Sequence, residues 1–317
     1  MLHFIKKHWW GVGFSVVLTA YSVFTVLDTF LIPKDVMSIE SDSNTLYSLN
    51  DSSSQSASES VTGTDSDTSD SSSVVITDTS YDSDSVSINI STIREYNTNI
   101  YVADVQIKDI THLSSGLAGG VFGRNITDTT SDIAKECGAI LAINGDFYGF
   151  RDSGPVIRNG VVYRSTARNS TSEALAIYNN GDMQILKETD VDTSELLSDG
   201  VVQLLSFGPG LVNNGKVCVS TSTEVDKSMT SNPRTAIGMI SPLHYVLVVS
   251  DGRTSESEGL SLYELAGIMQ DMGCETAYNL DGGGSSTMWF NGNVVNNPTT
   301  NGKTISERKV SDIVYIK

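Results

Sequence analysis

The sequence predicts an α+β domain, a mixed β-sheet fold with a few packed helices, preceded by one transmembrane helix and a disordered linker. Three observations carry this prediction. Short alternating apolar runs recur between Asn-Gly turns, only one long amphipathic helix pattern is present, and the first third of the chain shows neither pattern.

From Trp9 to Leu27 no residue is charged, and past Asp28 the apolar character continues to Ile32. A bilayer-crossing helix needs about 20 residues. A cleavable leader has a shorter apolar centre, about 7–15 residues, and then a small-x-small site that does not follow here. Lys6 and Lys7 precede the segment and Asp35, Glu40 and Asp42 follow it. The excess of lysine on that side places residues 1–8 in the cytoplasm, 9–32 in the membrane and the remainder outside the cell. Residues 33–85 read as a linker. Residues 35–93 hold eleven acids and no Lys or Arg, out of a net charge of −18 over 317 residues. Ser, Asp and Thr dominate there, so the segment has little to bury and repels itself into an extended tether. The acidic balance and the lack of basic clusters exclude nucleic acid as a partner.

The folded domain is expected over 86–317. Residues 86–93 and 100–107 alternate as strands around a turn at Asn97-Thr98-Asn99. Residues 130–136 form a short helix capped by Thr129 or Thr130 and ended by Gly138, and 139–143 a buried strand. Asn159-Gly160, Asn180-Gly181 and Asn291-Gly292 mark hairpins. A weak helix is expected over 192–197, and residues 236–240 pair with 245–250 across Ser241-Pro242. The best helix spans 262–272, with Ser261 as cap and Gly273 as stop. Its apolar positions 262, 265, 266, 268, 269 and 272 form one stripe, expected to lie on the sheet that carries 278–280. Two segments, 130–146 and 262–281, share the order helix, Gly, strand, Asn-x-Asp.

The domain holds two histidines, His112 and His244, in unrelated contexts, and no paired His or Cys pattern. This excludes the usual zinc motifs and leaves a Ser-His-Asp triad without good candidates. Cys137, Cys218 and Cys274 are too few for a disulfide framework. Carboxylates and arginines are therefore the groups available for chemistry, and they stand at strand ends. Asn144-Gly145-Asp146, Asp251-Gly252-Arg253 and Asn279-Leu280-Asp281 each follow an apolar run, and Asn232-Pro233-Arg234-Thr235 precedes one. Asp281 leads into Gly282-Gly283-Gly284-Ser285-Ser286-Thr287. Glycine lets the backbone approach a ligand closely, and N–H groups in such a turn suit an anion. Phe207-Gly208-Pro209-Gly210 adds a stiff loop.

The motifs AINGDFY, SFGPGLVNNGK, NPRTAIG, VVSDGR and NLDGGGSSTM, together with the closing Arg308-Lys309-Val310-Ser311-Asp312, resemble the phosphodiester glycosidase family. That family includes bacterial surface proteins of the exopolysaccharide-biosynthesis type, and the similarity runs from about Ile100 to the C-terminus. Asp146 departs from it, standing where the family pattern carries a second glycine. The resemblance implies hydrolysis of a sugar joined through its anomeric oxygen to a phosphodiester. It implies that Arg234, Arg253, Thr235 and the amides of Gly282, Gly283, Gly284, Ser285 and Ser286 hold the phosphate. Asp281 then activates water or stabilises the oxocarbenium-like centre, with Asp251 and Asp146 as further carboxylates, and Asn144 and Asn279 meet sugar hydroxyls. No cofactor is required by this scheme. A Mg²⁺ or Ca²⁺ shared by Asp146, Asp251 and Asp281 remains open.

The expected protein is a single-pass cell-membrane hydrolase with an extracellular catalytic domain. Its partner is a glycosyl-phosphate polymer of the cell surface or a small sugar phosphodiester. The alternatives are a non-catalytic polysaccharide-binding or assembly module and a metal-dependent phosphodiesterase.

Overall fold

The computed structural model describes residues 9–30, 32, 34–37, 74–223 and 231–317. The expected cytoplasmic tail, and most of the linker at 38–73, lie outside the described residues. Helix α1, Trp9–Phe30, is 22 residues long and exposes Phe14, Val17 and Tyr21. Its side chains are described without interruption only over 14–25. Among the described residues no helix is long and apolar enough to cross a membrane, so the expected anchor is not supported there.

The α+β class stands. Among the described residues three larger sheets carry the domain, a fourth of two strands pairs Lys34–Met37, from the expected linker, with Phe122–Arg124, and every pairing is antiparallel. The largest has nine strands, in the order Lys216–Val217, Gly210–Asn213, Thr276–Asn279, Thr235–Ser241, His244–Ser250, Thr98–Ile107, Val86–Glu95, Ser80–Asp82 and Val75–Ile76. A five-stranded sheet runs Asn293–Val294, Met288–Phe290, Leu141–Asn144, Asp312–Ile316, Leu113–Leu117. A second five-stranded sheet runs Val161–Arg164, Val156–Arg158, Val201–Leu205, Glu173–Tyr178, Met183–Lys187.

The sequence pattern explains which faces meet. Along Val86–Glu95, Val86, Ile88 and Ile90 are buried while Ser87, Asn89 and Ser91 face solvent, the period-2 signature of a strand with one wet face. Its neighbour Thr98–Ile107 is apolar on both faces. Tyr101, Ala103, Val105 and Ile107 join a core shared with Ile237, Leu247 and Tyr278 of the same sheet and Ile143, Val314, Leu175 and Leu205 of the other two. Ile100 and Val102 face the opposite way, beneath the helix Leu262–Asp271. Fully burying one such side chain contributes roughly 1.5–3 kcal/mol.

The helices close the outer faces. Helix α2, Thr130–Glu136, is capped by Thr129 and covers Ala142, Trp289 and Ile313. Helix α3, Thr193–Ser198, is capped by Asp192. Helix α4, Leu262–Asp271, starts at a complete capping box between Ser261 and Glu264 and lays Leu265, Ile268 and Met269 on the large sheet.

Two expectations need correction. The first hairpin turns at Tyr96-Asn97, both with positive φ, and Glu95 pairs with Thr98, so Thr98 belongs to the strand rather than the turn. Thr98 is held there by its hydroxyl, which donates to the Gly259 carbonyl and accepts the Gly259 amide. The sheet also starts before residue 86. Val75–Ile76 and Ser80–Asp82 add two edge strands from what reads as linker.

Candidate active site

Strand ends of two sheets meet at Asp281. In the large sheet Ala236 lies opposite Asn279, and the Leu280 amide donates to the Thr235 carbonyl, which brings Arg234 level with Asp281. From the second sheet Leu141–Asn144 ends alongside. The Asp281 amide donates to the Gly145 carbonyl at 3.2 Å, and Asn144 Nδ2 donates to the Asp281 carbonyl at 2.6 Å.

The Asp281 side chain is organised by the turn that follows it. Oδ1 accepts the Gly282 amide at 2.9 Å, while Oδ2 accepts the Ser285 hydroxyl and Arg308 Nη2, both at 2.7 Å. Arg308 also donates from Nε and Nη2 to Ser285 Oγ, at 2.9 and 2.6 Å. Asp281 is 8% exposed. Burial raises its pKa above the usual carboxylate range, against the opposing pull of Arg308, Ser285 and the Gly282 amide. The pair is thus a carboxylate of heightened basicity next to a guanidinium that is 40% exposed at its side chain.

Arg253 approaches the same turn. Gly283 has φ +63°, and a Cβ there would stand 2.9 Å from Arg253 Nη2, so glycine is required twice, for backbone and for space. Arg253 donates to Asn232 Oδ1 and to the Thr300 carbonyl, and among the described residues it makes no ion pair. Burial first, and the like charge of Arg308 second, lower its affinity for the proton. Two guanidinium groups at one turn with a single carboxylate leave a positive excess suited to an anion. Arg234 lies beside Gly282, where an added Cβ would stand 3.9 Å from its Cδ, and is 3% exposed, with Nε donating to the Leu260 carbonyl.

The structure therefore gathers Asp281, Arg234, Arg253 and Gly282–Ser285, and adds Arg308. Other expected residues have different roles. The amides of Gly282, Gly283, Ser285 and Ser286 are bonded to Asp281 Oδ1, Pro233 O, Gly282 O and Gly283 O, so these four do not form an open anion cradle. Asn144 Oδ1 accepts the Thr235 hydroxyl and the Thr287 amide, which makes both Asn144 and Thr235 struts between the sheets. Asn279 Nδ2 holds the Gly208 carbonyl, and its Oδ1 is buried with no partner. Ser286 Oγ is likewise buried and unpartnered.

Asp251 stands one layer back. It accepts the Asn297 amide at 2.8 Å, Asn297 Nδ2 at 3.1 Å and the Tyr101 hydroxyl at 3.1 Å, and so anchors the 296–297 segment. Asp146 is likewise taken up by partners of its own. It is buried against Arg158 Nη2 at 2.8 Å and accepts the Ser206 and Tyr148 amides. Burial opposes its charge, yet Arg158 and these amides prevail and hold its carboxyl below the usual range. Each aspartate considered for a shared divalent cation thus has its own donors, and among the described residues no three His, Cys, Asp or Glu converge as a metal site. His112 and His244 lie outside the site, bonded to the Lys317 carbonyl and Asp104. The three cysteines are free thiols.

Fold and site define an antiparallel α+β domain with an aspartate–arginine pair at a triple-glycine turn. The family model described as phosphodiester glycosidase matches residues 137–317, and the chain belongs to that family. It is 32% identical over 182 residues to the SPbeta prophage-derived protein YomE of Bacillus subtilis (56% of this chain, 28% of that one). It is 31% identical over 206 residues to N-acetylglucosamine-1-phosphodiester alpha-N-acetylglucosaminidase of Homo sapiens (59% and 38%). Among solved structures, the catalytic domain of the zebrafish N-acetylglucosamine-1-phosphodiester alpha-N-acetylglucosaminidase shares the fold, with TM-score 0.57 at 24% identity over 73% of this chain and 82% of that one. The matched region spans 28% and 38% of the length of these two curated relatives, of which the human one is named as a glycosidase acting on a phosphodiester.

Proposed function

We propose that this chain hydrolyses sugar-1-phosphodiesters, of the N-acetylglucosamine type or similar, in glycopolymers at the cell surface, with the domain tethered outside the membrane by its N-terminal segment. The observation that carries the chemistry is Asp281 bound to Arg308 and Ser285 on a turn that Arg253 also faces. The phosphodiester anion docks on Arg253 and Arg308. Water attacks the anomeric carbon and gives its proton to Asp281, the sugar C–O bond breaks, and the electron pair leaves with the phosphate monoester. The arginines stabilise the charge that builds on the departing oxygen. Phosphate is already a good leaving group, so a second carboxylic acid is not needed, consistent with the absence of a paired carboxylate beside Asp281 among the described residues. Basicity raised by burial suits Asp281 to the role of general base.

Turnover is tested on an N-acetylglucosamine-1-phosphodiester and a panel of glycosyl phosphates in heavy-oxygen water. The label is expected in the sugar. Label in the phosphate would instead mean P–O cleavage, and binding without turnover would leave a polysaccharide-binding module. The tether is supported by the uncharged run from Trp9 to Leu27 behind Lys6 and Lys7. Recovery of the full-length protein in the soluble fraction of lysed cells would overturn it.

Arg253→Gln removes an unpaired cation that meets phosphate in ground and transition states alike. Its expected effect is a rise in KM of about tenfold or more with a smaller change in kcat, matching roughly 1.5–3 kcal/mol for a charged hydrogen bond. Steady-state kinetics on a single glycosyl phosphate check this, and an unchanged KM would remove Arg253 from the anion site.

A further inference from the structure

Behind the site lies a cluster that the reaction above does not use. Arg158, 1% exposed, donates from Nε to Asp312 Oδ2 and from Nη2 to Asp146 Oδ2, each at 2.8 Å, and Nη2 also lies 2.8 Å from Asp312 Oδ2 as an ion pair. Both carboxylates are fully buried, and a single guanidinium compensates them. Their surroundings differ. Asp146 takes three hydrogen bonds spread over both oxygens, from Arg158, Ser206 and Tyr148, as an ionised group requires. Asp312 has fewer: Oδ2 takes Arg158, the Asp146 backbone amide is the one other donor that favours its charge, and among the described residues Oδ1 has no hydrogen bond of normal geometry. A charge so thinly held, beside a second carboxylate, is disfavoured, and Oδ1 is the oxygen open to a proton.

The same residues hold the backbone under Asp281. The Gly145 amide donates to the Asp312 carbonyl at 2.9 Å, and the Gly145 carbonyl accepts the Asp281 amide at 3.2 Å. A Cβ on Gly145 would stand 2.4 Å from Asp312 Oδ1, so peptide and carboxyl are in direct contact. We infer that Asp312 is a positioning residue for Asp281 and works as a neutral acid: through Arg158, Asp146 and Gly145 it fixes the carbonyl that anchors the Asp281 backbone. Ionising Asp312 places beside Asp146 a second negative charge that has no cation of its own, and the Gly145 segment is the part in contact that must yield.

Burial, with the Asp146 charge adding to it and Arg158 opposing, pushes the Asp312 carboxyl up to about 7. The other groups facing the cluster are Tyr148, whose hydroxyl donates to the Ser311 carbonyl, and, around Arg158 and Asp146, Tyr163 and Arg164. Burial raises both tyrosines above their ordinary value, so neither titrates in this range. Because the folded state holds a proton that the unfolded chain releases near pH 4, the Asp312 contribution is full below about pH 4 and is lost as pH rises to about 7.

The test compares the full chain with Asp312→Asn, which copies the neutral acid in shape. It rests on Asp281 as the base, and two readouts separate the inference from that reading. In thermal melts from about pH 5 to about pH 9, the variant's melting temperature relative to wild type is expected to rise by several degrees with pH and then level off above about 7. In kinetics, wild-type kcat/KM is expected to fall about tenfold per pH unit on the alkaline side, and the variant to lack that fall. A melting difference independent of pH, or the same alkaline limb in both proteins, overturns the inference. Absence of turnover in both proteins defeats the functional reading and the positioning role with it, while the melts still decide the proton. If the variant does not fold, the infrared carbonyl band of a protonated carboxyl is followed in wild type. Its presence below and loss above about pH 7 supports the assignment, and its absence overturns it.

Discussion

Asp281→Asn is expected to lower kcat by about a hundred- to ten-thousand-fold, the range for removing a positioned general base. The substitution keeps shape and most of the turn, since an amide oxygen still accepts the Gly282 amide. What it loses is the basic oxygen on which Ser285 and Arg308 converge at 2.7 Å. An amide nitrogen placed there would oppose two donors, so Arg308 is released toward solvent and substrate. KM is therefore expected to change little or to fall. Wild-type kcat/KM should rise with pH along an acid limb displaced upward from the ordinary aspartate value, because burial raises the Asp281 pKa and only the ionised form takes a proton from water. The variant should lack this limb. A kcat within about tenfold of wild type would mean that another group is the base.

The parts of this site that lie close together in sequence were readable before the fold was known. Asp281, Gly282–Ser285 and Arg253 announce themselves by an aspartate or arginine in a glycine-rich strand end. The same local signature also marks Asn144, Asp146 and Asp251, which the fold places in other hydrogen-bond networks. What separates these from Asp281 is their partners, which come from remote segments. Arg158 neutralises Asp146, Asn296 and Asn297 occupy Asp251, and Thr235 and Thr287 occupy Asn144. Arg308 was visible only as part of a family motif. It stands alone in a polar loop 27 residues after Asp281, with no local pattern that assigns it a partner.

The elements show the same division. The Ser261 capping box and the Asn159-Gly160 and Asn291-Gly292 turns are local chemistry and appear where expected. Tyr96 at positive φ defies local preference, and the long hairpin it joins accounts for the one-residue error in that turn. The edge strands at 75–82 were hidden by Ser- and Asp-rich composition. They form on the free edge that Val86–Glu95 offers, with Tyr81 packed against the core while Val75 and Ile76 stay exposed.

Arg158→Met should be the most destabilising of the substitutions considered, by about 3–5 kcal/mol at neutral pH, the usual result of removing one partner from a buried ion pair. Methionine fills most of the space but leaves Asp146 and Asp312, with fully buried side chains, without a countercharge. The variant's only relief is to protonate them, which fixes the sign of the pH dependence. In wild type Asp146 has a depressed pKa, and its contribution is present above the unfolded value near 4 and lost as pH falls through the folded one. Without Arg158 both carboxyls are raised by burial, and stability is lost as pH rises. The gap between variant and wild type should therefore be widest at neutral pH and narrow steadily toward about pH 4. At roughly 2–4 °C per kcal/mol for a domain of this size, the melting temperature should drop by about 6–20 °C. A drop of only a degree or two, or a gap that does not change with pH, would show that water or a rearranged loop reaches the cluster. The dry, shared guanidinium would then not be what holds the Gly145 segment in place beneath Asp281.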